Sequence, residues 1–179
     1  MLQNNNKYKV MGIFFDDPMP EGIGFQLREI SRKAGIAPPS VKRYLNELEK
    51  EGIILKKKHR IHNYPVYYAN RDNEEFRFLK KTDNLLKIRE SGLLEYITDT
   101  CMPEVIILFG SASRGEDLKD SDIDLFVISK KEKINLDKFE NRLNRKINIF
   151  FSKDLSRLSK ELKNNVINGI ILKGYLKVF

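Results

Sequence analysis

Two kinds of periodicity divide this chain. In its first part apolar residues recur at helical spacing. The segment Tyr8 to Phe15 reads as a first helix, and Asp16 to Gly22 reads as a loop by its Pro, Gly and Asp content. Leu27, Ile30 and Ala34 mark a second helix that stops at Gly35. Val41, Tyr44, Leu45 and Leu48 stand at i, i+3, i+4 and i+7 in a third, opened by two prolines and a serine and closed at Gly52. Ile53-Ile54-Leu55 and Val66-Tyr67-Tyr68 then read as two strands of a hairpin, with Lys56, Lys57, Lys58, His59, Arg60 and His62 at its polar tip.

Residues 72–100 are polar and helical, with Phe78, Leu79, Leu85, Leu86, Ile88, Leu93, Leu94 and Ile97 as apolar teeth and a break at Ser91-Gly92. From Glu104 the period changes. Val105 to Phe109 is a continuous apolar run, the pattern of a strand covered on both faces. Gly110-Ser111 ends it, and a short helix through Arg114-Gly115 and a polar loop lead to a second strand, SDIDLFVI. Leu136, Phe139 and Leu143 mark a crossover helix, Lys146 to Phe151 a third strand, and residues 153–169 a further helix. Residues 170–178, through Val178, read as a closing strand or hairpin. The class is α+β: a helical domain with a basic hairpin at residues 1–71, a helical connector at 72–91, and a small mixed-sheet domain at 92–179.

Composition sharpens this division. The 179 residues are 41% hydrophobic and 32% charged, and no apolar run approaches the roughly 20 residues that span a bilayer. The polar opening segment has no signal-peptide core, and one cysteine, Cys101, excludes an intrachain disulfide framework. Both point to the cytoplasm. The net charge is +8, and its placement is uneven: residues 1–71 hold 13 Lys and Arg against 7 Asp and Glu. An excess placed there suits a polyanionic partner for the first domain. His59 and His62 have no third ligand-type neighbour in sequence, so a metal site at the tip is not expected.

Helix, short turn, helix and basic hairpin, with the phrase EISRKAGIAPPSVKRYLNELEKEGII, resembles a winged helix-turn-helix over residues 25–68. That resemblance implies DNA as partner. The second paired helix would lie in the major groove, with Ser40, Lys42, Arg43 and Asn46 toward bases or backbone; Lys56, Lys57, Lys58 and Arg60 would meet phosphates. A protein-interaction role for the module stays open. For the connector, simple packing and a homodimer contact are both open.

The second domain poses a chemical question. Asp122 and Asp124 sit one residue apart, so on a strand they share a face while Ile123 and Leu125 turn inward. Two like charges so close are costly without a cation between them. Mg²⁺ suits them, since it takes one or two protein carboxylates and completes its shell with water and phosphate. Gly110 lets backbone approach a ligand, and Ser111 adds a hydroxyl. Arg114 either neutralises phosphate or pairs with Glu116 or Asp117.

The pattern Gly-Ser, ten residues, Asp-x-Asp, within FGSASRGE…SDIDLFVI, resembles the DNA polymerase β-type nucleotidyltransferases, in particular small prokaryotic minimal members, some paired with HEPN toxins. The resemblance covers residues 92–179. It implies Gly110 and Ser111 against an NTP, ATP being the expected one, and Mg²⁺ on Asp122 and Asp124. It also implies a third carboxylate on the later strand, where this chain has Asn148. Asparagine offers a neutral oxygen but no base at pH 7. Three functions remain: transfer of an NMP, expected to be AMP, to a protein or nucleic-acid hydroxyl; a DNA-binding regulator with a weak or inactive transferase-like domain; and an antitoxin-like protein with a toxin partner.

Overall fold

The computed structural model describes residues 5–18 and 24–177. The chain divides into two compact units, residues 1–80 and 81–179.

The first unit contains α1 (Asn6–Asp16), β1 (Phe25–Gln26), α2 (Leu27–Ala34), α3 (Pro38–Lys50), β2 (Ile54–Lys58) and β3 (Pro65–Ala69). Three helices and a sheet of order β1-β3-β2, antiparallel throughout, enclose one core. Each helix contributes its apolar stripe: Val10 and Phe14 from α1, Ile30 from α2, and Val41, Leu45 and Leu48 from α3 are fully buried. The end of α3 is set by Gly52, at φ +73°. The N–H of Gly52 bonds the Glu49 carbonyl at 3.1 Å and that of Ile53 bonds Leu48 at 2.9 Å, a left-handed closure that satisfies carbonyls the helix would leave open.

The hairpin departs from its sequence reading in one respect. Lys56, Lys57 and Lys58 belong to strand β2 and pair with Tyr67, Val66 and Pro65; they are not at the tip. The tip begins at His59, which is buried and turned inward. Its Nδ1 accepts from the N–H groups of Ile61 and His62, both at 3.1 Å, and its ring packs against Tyr64 at 4.5 Å between centroids, with the planes tilted by 37°. A buried ring that caps the turn explains why this histidine is not one of the solvated basic groups.

Helix α4 (Glu74–Ser91) crosses the division of the chain, and Gly92, at φ +79°, separates it from α5 (Leu93–Cys101). Among its early apolar residues, Phe76 and not Phe78 enters the core of the first unit: Phe76 is 1% exposed and Phe78 55%. Leu85 and Ile88 pack in the second. Cys101 is buried, and that burial pushes its thiol pKa up.

The second unit continues with β4 (Val105–Phe109), α6 (Gly110–Arg114), β5 (Ile123–Ile128), α7 (Asp137–Leu143), β6 (Ile147–Ser152), α8 (Lys160–Ile167) and β7 (Ile170–Gly174). The sheet order is β6-β5-β4-β7. Strands β4 and β5 are the inner pair, which is why both are apolar along almost their whole length. Strand β6 runs parallel to β5, so a crossover is required, and α7 provides it. The start of β6 is fastened by Glu140 of α7, which accepts from the Lys146 ammonium at 2.6 Å and from the Ile147 N–H at 3.0 Å. These hydrogen bonds hold the Glu140 carboxyl below the usual carboxylate range.

One sequence expectation needs correction here, and one alternative is decided. The last helix begins only at Lys160, because Ser159 caps it by accepting from the Leu162 N–H; Asp154 instead folds residues 154–156 into a turn through its bonds to Ser156. The closing element is a single strand, antiparallel to β4, which ends at Gly174. Val178 and most of the loop placed at residues 16–22 lie outside the described residues.

Candidate functional site

In the second unit one row of residues runs across the sheet. Phe109 on β4 faces Asp124 on β5, and Asp124 faces Asn148 on β6. Their side chains share a sheet face with Phe126 and Phe150, while Ile123, Leu125 and Ile147 take the opposite face and are buried. Asp122, one residue before β5 begins, joins the row from its end. Asn148 ties the acids together: its Nδ2 donates to Asp122 Oδ2 and to Asp124 Oδ1, each at 3.0 Å. Ionised carboxylates only accept, so the amide must present its N–H₂ group to them.

Gly110 closes the row on the β4 side. It adopts φ +74°, and a Cβ there would lie 2.6 Å from Asp124 Oδ2. The turn after β4 therefore passes directly over the second acid, a clearance only glycine provides. Ser111 follows on α6 and is half-buried. Arg114, at the other end of that five-residue helix, pairs with Glu116 at 2.7 Å. Asp117, the alternative partner, is instead held by Arg145 at 2.9 Å.

The donor set is two carboxylates and one amide, and among the described residues no three His, Cys, Asp or Glu side chains form a metal cage. Two hard carboxylate ligands beside a turn that admits backbone closely fit a divalent ion carried in with phosphate oxygens. They do not fit a closed, all-protein metal site.

In the first unit Lys42, Arg43 and Asn46 stand on the exposed side of α3, and Ser40 is half-buried in its first turn. The Arg43 guanidinium lies over the Tyr44 ring at 4.9 Å and donates to its hydroxyl at 3.0 Å, which fixes its direction. On the hairpin Lys56, Lys57, Lys58 and Arg60 are all exposed. Lys56 reaches Glu49 at 4.0 Å, and Lys57 lies over Tyr68 at 4.9 Å. The sequence reading missed Arg28 and Arg32. Both are exposed on α2, opposite Ile30, and line a cleft of about 550 Å³ with Gln26, Glu29, Ser31 and Pro38. Their i, i+4 spacing was the signal for them.

Residues 26–54 match the family model for winged helix-turn-helix DNA-binding, and residues 93–173 match that for the nucleotidyltransferase domain. The chain thus joins a winged helix-turn-helix domain to a nucleotidyltransferase domain, in that order. No curated protein and no solved structure matches it. Among the described residues no helix is long and apolar enough to cross a membrane.

Proposed function

We propose that the second unit binds a magnesium nucleoside triphosphate, ATP being the expected one, and that the first unit brings this domain to DNA. The observation that carries the first half is the convergence of Asp122 and Asp124 on one amide, with the Gly110 turn passing directly over Asp124. Asp122 and Asp124 would hold Mg²⁺, and the turn at Gly110-Ser111 would receive phosphate oxygens through its backbone N–H groups and the Ser111 hydroxyl. When bound, the ion would neutralise the triphosphate and make its α-phosphorus more electrophilic. In NMP transfer an acceptor hydroxyl attacks that phosphorus in line, a new P–O bond forms, and pyrophosphate leaves.

Asn148 limits what the chain contributes to that step. Its amide can orient the two acids but cannot take the acceptor's proton at neutral pH. The proton must pass to the acceptor's own groups, to water or to a partner. This favours a second reading of the same architecture: a DNA-binding regulator, antitoxin-like in organisation, in which the nucleotide is a bound signal and a toxin or a second copy of the chain is the partner.

Binding is tested first. Saturating Mg·ATP should raise the melting temperature of the parent chain by about 10 °C at a hundredfold excess over Kd. The double variant Asp122→Asn, Asp124→Asn should show no rise. A parent that melts at the same temperature with and without Mg·ATP leaves the pocket without this role.

The DNA half rests on the exposed face of α3 and the basic strand β2. Replacing Lys56, Lys57 and Lys58 together by alanine removes up to three phosphate contacts, each worth about 0.9 in the slope of log K against log salt. Measured by fluorescence anisotropy on duplex DNA, the slope should fall by up to about 2.7. The loss should be nearly uniform across sequences, because phosphate contacts carry no base information. An unchanged slope would assign binding, if any, to another surface.

A further inference from the structure

Asp122 presents a structural problem that strand alternation does not solve. Strand β5 begins at Ile123, so Asp122 lies outside the ladder that orients Asp124. We infer that Arg145 is the positioning residue that aims Asp122 into the metal-nucleotide pocket; the inference rests on the transferase-like reading above.

Arg145 lies between α7 and β6, and its guanidinium forks to three segments. Nε donates to the Ser121 carbonyl at 2.7 Å, and Nη2 to the carbonyl of Asp122 itself at 2.9 Å. Nη1 donates to Asp117 Oδ2 at 2.9 Å and reaches Asn84 Oδ1 at 3.5 Å. Asn84 completes the arrangement, donating to Asp117 Oδ1 at 2.9 Å and to the Ala112 carbonyl at 3.1 Å. The Arg145 side chain is 13% exposed and that of Asp117 is 2%. A buried carboxylate facing a guanidinium and an amide is a rigid anchor, because removing either partner would leave a charge unsolvated.

The geometry has a direct consequence. The anchor grips two consecutive peptide carbonyls, those of Ser121 and of Asp122 itself, on either side of the Asp122 side chain that meets Asn148. Only a planar fork of N–H donors can hold both carbonyls and Asp117 together; an ammonium cannot reproduce those directions. The same anchor holds the Ala112 carbonyl of α6, so the phosphate turn and the first acid are fastened to one network. These groups are spent on one another and on main-chain carbonyls, so their effect on the pocket passes through Asp122 and the α6 turn.

The test uses the full chain, and its readout is the Mg²⁺ concentration that gives half of the thermal shift at saturating ATP. A merely structural role lowers the melting temperature without ligand and leaves this midpoint in place. Arg145→Lys keeps a cation beside Asp117 but loses the fork. It is expected to melt within a few degrees of the parent and to need about tenfold more Mg²⁺ or above. Arg145→Ala, if it folds, should do the same to a larger extent; if it does not fold, the lysine variant decides alone. A parent-like midpoint in Arg145→Lys overturns the inference while leaving the pocket intact. A parent chain with no Mg·ATP shift overturns the pocket itself, and the inference with it.

Discussion

Gly110→Ala is expected to abolish Mg·ATP binding. Two costs coincide at this residue. The first is conformational: at φ +74° an L-residue with a Cβ costs about 1–2 kcal/mol. The second is steric and local to the site. The new Cβ would stand 2.6 Å from Asp124 Oδ2, closer than carbon and oxygen tolerate, so one of them must move. The backbone of Asp124 is fixed by ladders on both sides, to Phe109 and to Asn148. Its carboxylate must therefore turn away from Gly110, and so from the position shared with Asp122. The melting temperature without ligand should fall by several degrees, while the Mg·ATP shift should vanish altogether. Parent affinity in Gly110→Ala, by titration calorimetry, would mean that the turn does not form the wall of the pocket.

Asn148→Asp is expected to act in opposite directions with and without the ion. The amide now gives one hydrogen bond to each acid at 3.0 Å. An aspartate there removes both bonds and places a third negative charge against two others, so the chain without Mg²⁺ should melt several degrees lower. With Mg²⁺ the same three acids form a stronger site, and the added carboxylate can receive a proton. Transfer of labelled nucleotide to an acceptor in cell extract should then rise by about 10²-fold, the lower end of what a placed general base contributes. A lower melting temperature with neither a larger Mg²⁺ response nor any transfer would mean that the pocket had lost more than one residue, and the regulatory reading would stand.

The sequence made much of this legible, for identifiable reasons. The stripe of α3 and the unbroken apolar run of β4 are local patterns, and burial follows from them directly. Asn148 was legible as the polar member of β6 because Ile147 and Ile149 define the other face. What escaped reading depends on distance along the chain. Arg145, Asp117 and Asn84 are separated by 28 and 33 positions, and nothing in any local window joins them. Phe76 and Phe78 both fit a polar helix; only the packing of that helix decides which one is buried. Charge alone places the three lysines at a tip, whereas the turn is made by His59 and its two backbone donors. Leu155 and Leu158 have the spacing of a helix, yet the Asp154 side chain captures Ser156 first.

The amide bridge also bears on how the pocket fills. Since both acids already hold a ligand of their own, an arriving cation does not simply add to a vacant charge; it exchanges against an internal competitor. Asn148 would have to release its two N–H bonds, and could then turn its oxygen toward the newcomer. On the proposed reading, such an exchange would raise the ion concentration needed to fill the pocket, because two hydrogen bonds are given up for each ion bound.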